Sequence, residues 1–564
     1  MEQVALLAVA AVLIIVVVSY FAPKLGIAAP VLLVLVGIGC SLIPGAPELL
    51  VDPEWILMVV LPPILYAAAV NMPVVDFRRD FGAIGALSVL LVVVSAFGTG
   101  LLIWWLLPTI GLAAAVALGA VISPPDAVAA TTIGKRLGLP PRLVTILEGE
   151  GLVNDATALV MLRTAVAAIA GSVSFGSAVG DFGFAVVIGV AVGAVVGIVS
   201  VWARAKIRQQ PVLTTAISLV VPFLAFIPAE ELHASGVLAV VVAGLITGNQ
   251  SARRFAAQDR ISERTNWRTI QLLLENGVFL LMGFEITVIV AEVQNTGQEV
   301  WRAIGIGLLA TLALIILRVV FVVPLIGALR RRQRNAARLT RRIDTALDSL
   351  AALDRAKATR FLRRRHADAV FLTREGLGWR GGAVIAWSGM RGVVTLAAAQ
   401  SLPADVPHRA ELILIAFTVA IVTLIAQGGT LPLLIKTLGI QGTDADHQRR
   451  ELGRLATEIT TATHAVLDNT MLRRENGQPF DAAVIDQLRT RRLATAEAID
   501  AMLNSTDADG PLQQKRELQR LLFDAEQTAL LDARAAGTYS SHTLERAQHF
   551  IDNEIARLEK HVPG

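Results

Sequence analysis

The chain has 564 residues, 54% hydrophobic and 17% charged, against roughly 25% charged in soluble domains. Its mean hydropathy of +0.62 excludes a water-soluble globular protein and predicts a polytopic membrane protein. One cysteine, Cys40, rules out an intramolecular disulfide or a thiolate metal cluster. The net charge of +4 is accounted for by loop topology and points to no nucleic-acid partner.

Apolar runs near the roughly 20 residues that a crossing helix needs recur from residue 3 to residue 436. Thirteen are predicted, near 3–22, 28–45, 55–71, 82–107, 112–133, 142–170, 176–203, 211–229, 233–249, 268–292, 301–329, 379–402 and 410–436. The first follows Glu2 rather than a basic region and lacks an evident cleavage site, so it reads as a retained span, not a signal peptide. The fifth contains "AVISPPDAVAAT", where Pro124 and Pro125 lack backbone donors and break the helix near Ser123. The sixth opens with "LEGEGLVNDATALVML", which places Glu148, Glu150 and Asp155 among apolar residues. Arg391 sits about halfway along the twelfth span and Thr423 about halfway along the thirteenth.

Alternate loops carry Lys24; Arg78 and Arg79; Lys135 and Arg136; Arg204, Lys206 and Arg208; Arg253, Arg254, Arg260 and Arg264; and the stretch from Arg330 to Arg365. The intervening loops carry Glu48, Asp52 and Glu54, then Glu230 and Glu231, with Arg409 the exception. The positive-inside rule puts the N-terminus outside and the C-terminus in the cytoplasm. Residues 1–437 thus read as a transmembrane domain with a basic cytoplasmic loop at about 330–378, and 441–564 as a helical cytoplasmic tail. The stretches "RRIDTALDSLAALDRAKATRFLRRR" and "LQQKRELQRLLFDAEQTALL" have helical spacing. A solvated appendage explains the tail, with regulation or oligomerisation as the alternative.

A carboxylate within the bilayer needs a partner, a water-filled cavity or a function. Asp155 lies about thirteen residues into its span, roughly 20 Å at about 1.5 Å per residue, near mid-membrane. The break near Ser123, Arg391 and Thr423 reach the same depth. Broken helices at the midplane are where secondary transporters bind ions, through freed carbonyls and half-helix ends. Glu150 and Asn154 share a helix face, whereas Glu150 and Asp155 are about 140° apart. Glu150 is therefore expected to pair with a base, and Arg391 is the candidate by depth. Asp155 is expected to face the cavity, and Glu148, on its face one heptad earlier, to line an inner funnel.

These motifs resemble the monovalent cation:proton antiporters, in the sodium/proton exchanger branch with one aspartate. "EGEGLVNDATAL" is similar to their Asn-Asp signature and "ISPPDAVAA" to their unwound-helix motif. "LPPILY", "HASGVLAVVVAGLITG", "FLLMGFEI", "WSGMRGVVTLAAA" and "TLIAQGGTLPLL" follow in the family's order, across about residues 5–437. The resemblance implies an all-α fold of about thirteen helices with inverted repeats and crossing broken helices, forming a homodimer in the cell membrane. It implies that Asp155 alternately takes a proton or a sodium ion beside Asn154, that Glu150 and Arg391 form a buried ion pair, and that Asp126 offsets half-helix dipoles. Three positions depart from the family pattern: Gly151 stands for a serine, Pro125-Asp126-Ala127 for Thr-Asp-Pro, and Tyr66 for an acid. Carbonyls near Ser123 to Pro125 then stand in as ligands, Tyr66 and Thr423 are candidate cavity residues, and sodium, lithium and potassium all remain open.

Other classes fit less well. A cation channel would use acidic rings and needs no titratable aspartate at a broken-helix crossing. "EGEG" is not the HExxH of a zinc protease. An ion sensor working through the tail leaves the midplane cluster unexplained. The expected activity is exchange of a monovalent cation for a proton, with no enzyme chemistry and no cofactor. One titrating carboxylate predicts one proton per cation and an electroneutral cycle.

Overall fold

Backbone groups inside a bilayer must pair internally, and a helix does this within one segment. In the computed structural model each predicted span is helical, and no β-strand occurs among the described residues. The structure describes residues 2–440 apart from 45–50, 170, 172–174, 208–209, 352–361, 363–364, 367 and 374–375, with scattered positions beyond 440. The helices are α1 (Glu2–Leu25), α2 (Ala29–Ser41), α3 (Pro53–Asn71), α4 (Val74–Leu106), α5 (Gly111–Ile122), α6 (Ala127–Arg136), α7 (Pro141–Ile169) and α8 (Phe175–Lys206). They continue as α9 (Pro211–Glu231), α10 (Gly236–Arg254), α11 (Ala257–Asn295), α12 (Val300–Ala351), α13 (Trp379–Trp387), α14 (Val393–Gln400) and α15 (Arg409–Thr437).

Nine described helices are long and apolar enough to cross a membrane, and three shorter apolar ones accompany them. The remaining span, the twelfth, is the pair α13 and α14, separated by Ser388–Gly392. The fifth is likewise split into α5 and α6 around Ser123–Asp126. The predicted limits hold to about five residues except in the fourth span, whose helix begins at Val74 rather than near 82, and in the tenth and eleventh spans. There α11 begins at Ala257 and α12 runs to Ala351. Hydropathy marks where a helix leaves lipid, but the helix itself continues into water on the basic side. Exposed tryptophans mark both edges: Trp55, Trp105 and Trp301 towards the acidic loops, Trp202 and Trp379 towards the basic ones.

Residues 1–442 form one compact unit and 443–564 a second. Described tail positions include short helical stretches and an isolated antiparallel bridge between Arg473 and Pro479. The predicted helix in "LQQKRELQRLLFDAEQTALL" lies almost wholly outside the described residues.

Close helix crossings in the transmembrane unit rely on small residues, as expected where lipid supplies no hydrophobic drive between helices. Gly37 of α2 and Gly283 of α11 meet backbone to backbone. A methyl on Gly37 would stand 2.9 Å from the Phe284 nitrogen, and one on Gly283 would meet the Val34 carbonyl. Buried ion pairs tie other helices together. Arg142 of α7 holds Asp80 of α4 through two bonds, of 2.6 and 2.9 Å. Arg204 of α8 holds Glu263 of α11 at 2.6 Å, and Glu263 also accepts from Ser218 of α9 at 2.8 Å.

Gly283→Ala should lower stability by about 1–3 kcal/mol, the usual range for overpacking. Thermal unfolding in detergent measures it. Gly39→Ala, on the exposed side of α2 with nothing near its added methyl, should leave stability unchanged or slightly raised.

Candidate ion-binding site

Two helices end inside the protein and two begin there. Each end strands backbone groups that water would otherwise satisfy. At the C-terminus of α5, Arg391 donates through Nε to the Ile122 carbonyl at 2.8 Å and through Nη2 to that of Ser123 at 3.3 Å. Its Nη1 donates to the Gly389 carbonyl, just past α13. Its backbone N–H donates to Thr423 Oγ1 of α15 at 3.0 Å. A cation thus sits at the negative ends of two half-helices, where the helix dipole favours it.

The positive ends receive Asp126. Its carboxylate caps α6 by accepting from the Val128 N–H at 2.7 Å, and its own N–H donates to the Met390 carbonyl at 2.6 Å. Gly392, at the start of α14, leaves no Cβ where the Asp126 carboxylate lies. Asp126 therefore stands at the N-termini of both α6 and α14.

Helix α7 passes through this crossing and separates its polar groups by face. Glu150 is buried and accepts from Nη1 and Nη2 of Arg318 in α12, at 2.6 and 2.8 Å. Arg318 also donates to the Ile385 carbonyl of α13 at 2.9 Å. Asn154 donates to the Pro125 carbonyl at 2.6 Å, while its Oδ1 is buried without a hydrogen-bond partner among the described residues. The Asp155 carboxylate makes no hydrogen bond or ion pair with any described residue. It lines a cavity of about 340 Å³.

That cavity runs to the basic side of the bundle. Lys135, Glu148, Arg264 and Arg268 line it near the helix ends; Asp126, Pro125, Gly151 and Asp155 line it deeper. Glu148 is in the predicted funnel, but Lys135 Nζ holds it at 2.5 Å. Two departures from the family pattern meet in space. A Cβ on Gly151 would stand 2.8 Å from Cβ of Ala127, so the two small residues share one contact. Pro125 lines the cavity while its carbonyl is bound by Asn154.

Four expectations are corrected. Arg391 is not the partner of Glu150: Arg318 takes both carboxylate oxygens, and the guanidinium of Arg391 is spent on carbonyls. Ser123 does not line the cavity: its hydroxyl donates to the Ala120 carbonyl and its own carbonyl accepts from Arg391. Thr423 does not line the cavity and instead fixes the Arg391 backbone. Tyr66 is fully buried against Trp267, with ring centres 5.0 Å apart, and does not line the cavity either.

Sequence reasoning missed Glu275 of α11. It is buried, lines the same cavity, accepts from Gln271 at 2.7 Å, and has no cationic partner among the described residues. Its signal was the one that marked Asp155, an acid inside an apolar run. Arg409, the exception to the charge alternation, is also explained. It donates to the Leu402 and Gln400 carbonyls at 2.9 and 2.6 Å, closing the C-terminus of α14.

Arg318→Ala should leave Glu150 as a lone buried charge and cost about 3–5 kcal/mol. Glu150→Gln combined with Arg318→Gln should recover part of that loss in detergent unfolding. Arg391→Ala should destabilise as well, but Glu150→Gln should not rescue it, because its partners are carbonyls.

Residues 10–437 match the family described as sodium/hydrogen exchanger, transmembrane. An uncharacterised Na+/H+ exchanger of Mycobacterium tuberculosis is 30% identical over 449 residues, covering 78% of this chain and 74% of that protein. The Na+/H+ antiporter ApNhaP of Aphanothece halophytica is 25% identical, covering 91% of this chain and 89% of the other. Among solved structures, the sodium proton antiporter MjNhaP1 of Methanocaldococcus jannaschii has a similar fold. The TM-score is 0.51 at 18% identity, over 78% of this chain and 99% of that one. With broken helices crossing beside Asp155 and a family match across the whole transmembrane unit, this chain belongs to the sodium/hydrogen exchanger family.

Proposed function

We propose that the protein exchanges a monovalent cation, sodium in the first instance, for a proton, with Asp155 as the shared site. One observation carries the reading: the Asp155 carboxylate ends a cavity at the helix crossing and has no protein partner among the described residues. A buried carboxyl is favoured in its neutral form, and a neighbouring cation favours the ionised form. Proton and cation therefore compete for one group. The Pro125 carbonyl, which lines the cavity and keeps a second lone pair, and cavity water complete the coordination, with Asn154 holding that carbonyl in place.

Exchange requires that the loaded site reach each face in turn. The cavity opens to the side whose loops carry Lys135, Arg264 and Arg268. By the positive-inside rule that side is the cytoplasm, so this is an inward-facing state with the N-terminus outside. We place the protein in the plasma or inner membrane, among lipid, as a homodimer. The transport domain is 1–437, and 441–564 is a cytoplasmic appendage. Ion gradients, not a nucleotide, drive the cycle. One exchanging carboxylate gives one proton per cation and no net charge movement. Glu148 is held by Lys135, so Glu275 is the group that would carry a second proton.

Asp155→Asn should reduce sodium-driven proton movement in proteoliposomes to background while the protein still inserts and stays monodisperse. Full transport by that variant would sink the assignment. Protons should act as competitive inhibitors. As pH falls the apparent cation affinity should weaken, while the rate at saturating cation changes less. With the membrane potential clamped by potassium and valinomycin, the exchange rate should be independent of potential. A rate that follows the potential would refute one-for-one exchange, and Glu275→Gln would then be the variant to remove the dependence.

A further inference from the structure

A second cavity, of about 400 Å³, lies on the acidic-loop side of the bundle. Leu159 and Leu162 of α7 and Phe226 of α9 line it, and the ion pair between Arg163 and Glu230 stands at its edge. Along α7 the two cavities follow one another directly. Leu152 and Asp155 line the inner one, and Leu159, one turn on, lines the outer one. A turn advances about 6 Å along the axis at about 1.5 Å per residue. An ion at Asp155 is therefore about one helical turn from the outer cavity.

Helix α3 also lines both cavities. Leu57 lines the outer one, while Ile64 and Leu65 line the inner one. Leu61 lies between them and is the residue common to both linings. It is buried, and its methyl groups offer nothing to a hydrated ion. Apolar constrictions of this kind exclude ions by dewetting.

The backbone beneath Leu61 is irregular for a readable reason. Pro62 and Pro63 have no N–H, so the Met58 and Val59 carbonyls lose their usual donors four residues on. The chain responds with a π turn over Ile56–Val60, in which the Leu61 N–H bonds back five residues to the Ile56 carbonyl. Such turns occur mostly singly within α-helices and often at functional positions.

We propose that Leu61 is the coupling barrier of the exchanger, the side chain that separates the inner and outer cavities and stops a cation crossing without a returning proton. The π turn supplies the alternative backbone register through which this side chain shifts when the site changes sides. The proposal rests on Asp155 as the exchange site, and the tests below separate the two.

Leu61→Ala and Leu61→Met are compared with wild type in proteoliposomes, with sodium and proton fluxes measured together at clamped potential. Leu61→Met should keep the wild-type ratio of sodium to proton movement. Leu61→Ala should show sodium movement that follows the potential and persists without a proton gradient. A wild-type ratio in Leu61→Ala would overturn the proposal. Leu61→Cys in a Cys40→Ala background gives a readout independent of exchange and of Asp155. A membrane-impermeant thiol reagent should modify it from either face. Modification from one face only, or from neither, would overturn the barrier assignment even if Leu61→Ala fails to fold.

Discussion

Two carbonyl-bearing helix ends inside the protein need donors, and Arg391 supplies them. Its guanidinium reaches Ile122, Ser123 and Gly389, and its backbone N–H is held by Thr423. Asp126 answers the opposite need at the two N-termini. Without these two charges the breaks in the fifth and twelfth spans would leave unsatisfied backbone buried in the protein, each group costing about 1–3 kcal/mol. The cavity lies where the spans break, and Asp155 faces it.

Charge placement then divides into two kinds. Glu150 with Arg318, Asp80 with Arg142, and Glu263 with Arg204 are closed pairs within hydrogen-bond distance. They fix α7 against α12 and α4, and α11 against α8. Asp155 is left out of every such pair. A closed pair gains little by releasing a partner, whereas a lone carboxylate must be neutralised by something mobile. The division of labour on α7 follows from its pitch, which turns Glu150 towards α12 and Asp155 towards the cavity.

The thirteen spans were legible because hydropathy reports the lipid boundary, and the break at Pro124 and Pro125 because proline lacks a donor. The separate faces of Glu150 and Asp155 followed from the helix repeat. The extensions of α11 and α12 were not legible, since helix can outlast lipid. Nor was the partner of Glu150. Depth alone could not choose between Arg318 and Arg391, and the carbonyls that occupy Arg391 carry no sequence signal. The second break was hidden for the same reason: Ser388–Gly392 contains no proline, and what holds it open is an arginine bonded across the fold. Tyr66 and Thr423 stood at the right depth but point into packed protein, a distinction that needs the neighbouring helices.

The proposed exchange requires that proton and cation compete for one carboxylate. Proton release on cation binding tests it without transport. Sodium added to the purified protein in weakly buffered detergent should release close to one proton per bound cation where the empty site is protonated, and Asp155→Asn should release none. Equal release from Asp155→Asn would put the competing proton on another group and contradict the account.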